Sequence, residues 1–257
     1  MKITIITGAA SGLGKEFAYL YAKDKNNLLL VDIDIEGLNK VKEEVEKEYN
    51  VTCDIIQADL SEKSELRKVF EYVKEKEYFV NNLVNSAGFG DRCDFKDMDV
   101  EKQMKMTDVD CNSLLYFTRV FLDDMLKNDE GHIINVASIA GFLPGPYMCT
   151  YHACKGYVLL LGEAISYELR KTNVKLLTLC PGPFLSNFVV KAHNDYTFEK
   201  IKPVTAVKVA EFGYKKSLKG KTLAVVGFKN KLTIFAAKLA PRKMVTSSSA
   251  KTMKKEK

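Results

Sequence analysis

The first 32 residues constrain the fold more tightly than any other stretch. Lys2-Ile3-Thr4-Ile5-Ile6-Thr7 is a short apolar run of strand length, rich in β-branched residues. Gly8-Ala9-Ala10-Ser11-Gly12-Leu13-Gly14 follows it and opens a helix predicted to run to about Lys23. A second apolar run, Asn27-Leu28-Leu29-Leu30-Val31-Asp32, ends in a carboxylate. A strand, a glycine turn, a helix and another strand make a crossover unit, and crossover units build parallel sheets. Glycines let the chain turn tightly and bring its backbone close to a pyrophosphate, whose charge is favoured at a helix amino terminus. The spacing here is Gly-x-x-x-Gly-x-Gly, which departs from the general Gly-x-Gly-x-x-Gly dinucleotide turn. Asp32 stands where a carboxylate that holds a ribose belongs.

The rest of the chain keeps the alternation. Helices are predicted over 35–48, 62–76, 100–126, 151–171 and 206–217, and strands over 51–57, 83–85, 132–137, 174–179 and 222–226. No internal repeat or linker divides them. The expectation is α/β, a single-domain doubly wound parallel sheet, over residues 1–228.

Three side chains suggest chemistry. Tyr151 and Lys155 lie four apart on a predicted helix, so phenol and ammonium share one face. A nearby cation favours the phenolate, which predicts a lowered tyrosine pKa and a usable general acid/base. Ser138 ends the apolar run His132–Ala137, at the strand end where open α/β sheets bind ligands.

With these motifs in place, the chain resembles the shorter, single-domain short-chain dehydrogenase/reductases. Thr7 to Gly14 matches their cofactor loop, Asp59-Leu60 their adenine-contacting acid, and Asn85-Ser86-Ala87-Gly88 their Asn-Asn-Ala-Gly element. Pro181-Gly182-Pro183 matches the turn beside the nicotinamide. The resemblance covers residues 3 to about 190 and implies a catalytic tetrad of Asn112, Ser138, Tyr151 and Lys155. In that reading Asn112 disturbs its helix and anchors a water linked to Lys155. The implied cofactor contacts are Gly8, Ser11, Gly12, Leu13, Gly14, Asp32, Ile33, Asp59, Leu60, Ser86, Ala87, Gly88, Tyr151, Lys155, Pro181, Gly182 and Ser186. Asn85 is assigned instead to tying strands together, and Cys154 to packing. The cofactor is expected to be NAD, because Asp32 would repel a 2′-phosphate and no arginine follows it. NADP is the alternative, with Lys15 as the contrary hint.

The resemblance implies hydride transfer between that cofactor and a secondary alcohol or ketone. Predicted walls at 141–148 and 184–190 are apolar and carry no lysine or arginine, which suits a lipophilic frame. Steroid or bile-acid hydroxyls lead, and a 3-oxoacyl thioester is the alternative. A non-catalytic dinucleotide-binding protein and an epimerase of the longer related type are the competing classes. Six scattered cysteines and three histidines form no ligand pattern, so no metal is expected. Met1-Lys2-Ile3 runs straight into a strand, which leaves no signal peptide and predicts a cytoplasmic protein. The helices carrying Asn112 and Tyr151 pair across two-fold axes in the resembling family, implying a homodimer or homotetramer.

Charge is uneven. Residues 229–257 hold nine Lys/Arg and one Glu, so the remaining residues carry −2 of the chain's net +6. The basic balance belongs to a tail and gives no ground for a nucleic-acid groove. The tail's apolar part, 232–239, is read as packing on the domain or a partner subunit, in preference to a membrane-surface contact. From Thr246 onward, three serines and five charges predict disorder.

Overall fold

The computed structural model of the chain describes residues 1–185 and 204–253. Its centre is a seven-stranded, wholly parallel sheet. The strands are β1 (Lys2–Thr7), β2 (Leu28–Asp32), β3 (Cys53–Gln57), β4 (Phe79–Asn85), β5 (Gly131–Val136) and β6 (Val174–Cys180), closed by a short strand at Leu223–Val225. In space the order is β3-β2-β1-β4-β5-β6 and then the closing strand. The order reverses between β1 and β4, and the crevice at their carboxyl ends is where such sheets bind ligands.

Helices α1 (Gly12–Lys23), α2 (Ile35–Tyr49), α3 (Lys63–Glu75), α4 (Val100–Thr107), α5 (Leu114–Lys127), α6 (Cys149–Glu168) and α7 (Ala206–Leu218) cover the two faces. Parallel strands buried on both sides read as continuous apolar runs, and Leu28 to Val31 have no solvent exposure at all. One core lies under α1 and α2 around Phe17, Leu30 and Leu38; the other lies under α3 and α5 around Ile5, Phe117 and Phe121.

β4 begins four residues earlier than the apolar run at Leu83 suggested. Asn81 and Asn82 break that run, but the Asn82 amide donates to Thr4 Oγ1 at 3.1 Å, so a polar residue is satisfied inside the sheet. Asn85 behaves as a tie between elements, donating to Thr118 Oγ1 at 3.0 Å and Asn135 Oδ1 at 2.9 Å.

The tail departs from expectation. Two helices, α8 (Phe228–Leu239) and α9 (Arg242–Met253), fill the region. The predicted disorder from Thr246 is therefore wrong up to Met253; residues 254–257 lie outside the described ones. Serine and threonine are only moderately unfavourable in a helix, and tertiary contacts supply the rest. Val245 is buried, and Arg92 Nε donates to the Met253 carbonyl at 2.6 Å. The apolar stretch 232–239 packs on the domain along one face only, through the buried Ile234.

Candidate active site

The carboxyl ends of the strands open into a large cleft of about 1230 Å³. Its entrance from the amino end is the turn after β1. Gly8 has φ +68, and an added Cβ would stand 2.8 Å from the Ala87 Cα. Gly14 lies so close over this turn that a methyl there would collide with the Gly8 carbonyl oxygen. Ser11 precedes α1 without capping it through its side chain, so the first N–H groups of the helix face the cleft with no side-chain partner from Ser11. That arrangement fits the phosphates of a dinucleotide.

At the end of β2, the Asp32 carboxylate accepts from Ala10 N and from Asp34 N, both at 3.0 Å. These two bonds fix the carboxylate at the cleft wall beside Ile33, Asp59 and Leu60. Lys15 is not in the cleft lining; it pairs with Glu44 at 3.1 Å. Ser86 N and Ala87 N each donate to Thr7 Oγ1 at 3.1 Å, which pins the β4 end against β1. Of the catalytic and cofactor-contact residues named from the sequence, every described one lines this cleft except Asn112. Ser186 lies outside the described residues, as do positions 187–190 of the predicted substrate wall.

Ser138 caps a single 3₁₀ turn at Ile139–Phe142, accepting from Ala140 N at 3.1 Å. Tyr151 is hydrogen-bonded to Ser138, and Lys155 Nζ stands 5.5 Å from the centre of the Tyr151 ring. Lys155 also donates to the Val136 carbonyl at 3.3 Å. Serine, phenol and ammonium therefore converge on one wall. Cys154 points the other way, into the interior near Thr107.

Asn112 does not belong to this group. The predicted helix 100–126 is broken by a π-helical turn at Asp108–Ser113, and π-turns inside helices mark functional positions. The residue that the turn aims at Lys155 is Asp110. Its carboxylate is buried, pairs with Lys155 Nζ at 3.0 Å and accepts from Phe89 N at 3.0 Å. Asn112 is exposed and donates to Asp108 Oδ1 at 2.7 Å. Two residues along a helix turn the side chain by about 200°, which separates a buried position from an exposed one. The sequence did hold the signal. Leu114, Phe117, Phe121 and Met125 form the buried stripe of α5, and one turn back along it lies residue 110. Gly88 closes the pair from above, since a Cβ there would sit 2.9 Å from Asp110 Oδ1 and 3.2 Å from Lys155 Nζ.

The electrostatics correct the expected lowering of the Tyr151 pKa. Desolvation raises it above the ordinary phenol value; Lys155 and Ser138 pull it down, and Asp110 pushes it up again. The net direction is upward. Burial alone would discharge Lys155, but the Asp110 carboxylate reverses this and holds the ammonium above the usual lysine value. Burial pushes the Asp110 carboxyl up, with Lys155 and the Phe89 N–H acting against that. A carboxylate on the lysine thus offsets much of the positive field that the tyrosine would otherwise feel.

The family model for short chain dehydrogenase matches residues 2–197. The chain belongs to the short chain dehydrogenase family. Uncharacterized oxidoreductases of Staphylococcus saprophyticus and Staphylococcus epidermidis are 32% and 30% identical over 181 residues, each match covering 70% of this chain and 77% of the relative. A solved 7β-hydroxysteroid dehydrogenase superposes with a TM-score of 0.86 at 21% identity, over 97% of this chain and 96% of its own. A short-chain dehydrogenase from Sphingobium yanoikuyae in complex with NADPH gives 0.84 at 20% identity, over 93% of each chain. One from Burkholderia phymatum in complex with NAD gives 0.83 at 22%, over 91% of this chain and 92% of its own. These likenesses establish the doubly wound fold that this short chain dehydrogenase shares with them.

The sequence missed the cleft's far side. Asn230, Thr233, Ala236, Ala237 and Ala240 of α8 and Met244, Val245, Ser248, Ser249, Thr252 and Met253 of α9 roof it, and Lys102 and Lys105 of α4 stand at its edge. Lys102 pairs with Asp91 at 2.8 Å. From the predicted wall at 141–148 only Leu143 and Met148 reach the cleft, and Phe184 does so from the second segment. Among the described residues no cluster of His, Cys, Asp and Glu could hold a metal ion, and no helix is long and apolar enough to cross a membrane.

Proposed function

We propose that the protein is an oxidoreductase that interconverts a secondary alcohol and its ketone with a nicotinamide dinucleotide, NAD in preference to NADP. The observation that carries this reading is the convergence of Ser138, Tyr151 and Lys155 on the wall of a dinucleotide-sized cleft. When bound, the cofactor supplies the hydride acceptor or donor. The chain supplies position and proton transfer. Ser138 Oγ orients the substrate oxygen, and the Tyr151 oxygen exchanges a proton with it, accepting as phenolate in oxidation and donating as phenol in reduction. Lys155 holds positive charge beside the phenol, with Asp110 fixing its place. Structural relatives in complex with NADPH and with NAD both support a nicotinamide cofactor. The preference for NAD rests on Asp32, anchored at the cleft with no ion pair to a lysine or arginine among the described residues, and on the engagement of Lys15 with Glu44. Comparison of kcat/KM for the two cofactors tests it, and a tenfold preference for NADP would overturn it.

The substrate is read as lipophilic, with steroid or bile-acid hydroxyls first. Ile139, Leu143, Met148 and Phe184 from below and Met244, Val245 and Met253 from above support that class, as does the likeness to a 7β-hydroxysteroid dehydrogenase. A 3-oxoacyl thioester is the second reading, favoured by Lys102 and Lys105, whose charges suit the phosphates of a carrier. Turnover of hydroxysteroids, bile acids, acyl thioesters and polyols decides between them; activity confined to polyols or small charged hydroxy acids would remove both. The exposed Leu160 and Tyr167 on α6 support self-association through this face, and a monomer of 28.9 kDa in light scattering would contradict it.

A further inference from the structure

Helix α8 has two faces. Asn230, Thr233, Ala237 and Ala240 turn to the cleft. On the other side Phe228, Leu232, Phe235 and Leu239 follow one another at helical spacing and form one stripe. They are 80, 58, 60 and 73% exposed. Scattered apolar side chains on a surface need no explanation, whereas a contiguous stripe rimmed by polar groups marks a contact site. Lys231 and Lys238 flank the stripe on one side and Lys229 on the other, and the exposed Arg242 and Lys243 follow at the start of α9. No acid occurs between residues 228 and 253.

This charge selects the occupant. A second copy seated two-fold on the stripe would bring five cations against five identical ones. A lipid surface bearing anionic headgroups meets both parts of the pattern at once, with apolar side chains below the headgroups and basic ones among them. We propose that α8 docks the protein flat on an anionic membrane, with Phe228, Leu232, Phe235 and Leu239 entering the acyl boundary and the flanking lysines engaging lipid phosphates. The helix is too short to span a bilayer, so it lies in the interface. Its inner face then holds the roof of the cleft about 10 Å, one helix diameter, from the lipid. The proposal stands on the outward face of α8 and does not depend on which substrate the cleft takes.

Flotation of the full chain with vesicles tests it. Phosphatidylglycerol-containing vesicles should carry the protein, and pure phosphatidylcholine vesicles should carry far less. The K229Q/K231Q/K238Q variant should partition roughly a hundredfold more weakly, at about fivefold per lysine. L232S/F235S should abolish flotation while its melting temperature stays at the wild-type value. The chain contains no tryptophan, so F235W supplies a lone reporter whose emission should shift to the blue on anionic vesicles. Absence of flotation at every lipid concentration would overturn the proposal. So would equal binding to neutral vesicles, or an oligomer that L232S/F235S splits in the absence of lipid.

Discussion

The cleft has a floor and a roof built on opposite terms. The floor is made of strand ends and the helices packed on them, where each functional side chain is held by buried partners. Asp110, Lys155, Ser138 and Asp32 all have fixed hydrogen-bond or ion-pair partners. The roof is α8 and α9, anchored chiefly by Ile234, Val245 and the Arg92 bond to Met253. In the proposed function, chemistry that depends on tenths of an ångström sits on the first, and substrate selection, which tolerates adjustment, falls to the second. Rigid scaffolds carry catalytic groups and looser segments shape recognition.

The largest effect expected is on the floor. Tyr151→Phe keeps the shape and removes the proton carrier, so turnover should fall about 10²–10⁴-fold with dinucleotide binding retained. Wild-type turnover in that variant would end the assignment. Stability should divide the two regions next. Phe117 is fully buried and stacked on Phe121, so Phe117→Ala should cost about 3–5 kcal/mol. Phe235→Ala on the outer roof should stay within about 0.5 kcal/mol. Comparable losses in chemical denaturation would mean that the roof is as firmly built as the floor.

A finer test lies within the floor. Asp110 keeps the buried Lys155 charged, and Lys155 lowers the Tyr151 pKa more than Asp110 raises it, so Asp110→Asn should move the pH limb of kcat/KM for oxidation to higher pH. The sign follows because burial discharges the ammonium once its carboxylate is gone, and the phenolate loses its larger stabiliser. Asn112→Ala should leave the limb in place and turnover within about twofold, as for an exposed residue away from the site. A shift with Asn112→Ala and none with Asp110→Asn would reverse the assignment. The smallest effect belongs to the bond that ties the end of the roof to the domain. Arg92→Ala should raise the substrate KM about two- to fivefold, the scale of one lost helix-end contact, with kcat unchanged. A fall in kcat with KM intact would place Arg92 in the chemistry instead.

What the sequence disclosed divides along the same line. The parallel fold was legible because β2 opens on an unbroken apolar run, β1 and β6 are largely apolar, and the turn at Gly8–Gly14 admits few alternatives. Ser138, Tyr151 and Lys155 were legible because a strand end and a four-residue helix step locate them without tertiary knowledge. Asp110 was obscured because the π-turn is not encoded by any local residue preference, and an asparagine two positions on offered a nearer match. The roof was illegible for a different reason. Thr246 to Ser249 are as compatible with disorder as with a helix, and only contact with the cleft decides between them.

The separation of floor and roof along the chain also orders their birth. Phe184 is the last described residue of the apolar wall below the cleft, and Phe228, which opens the roof, lies 44 residues further on. At ordinary rates of synthesis that gap lasts roughly 2–9 s. For that interval a nascent chain holds an apolar trough at Ile139, Leu143, Met148 and Phe184 before the α8 and α9 side chains that roof it are made. Such a trough is a surface that chaperones hold and that neighbouring nascent chains can stick to. The pace of translation between these two points therefore bears on yield, and slowing the ribosome there should raise the aggregated fraction without altering a single residue of the finished enzyme.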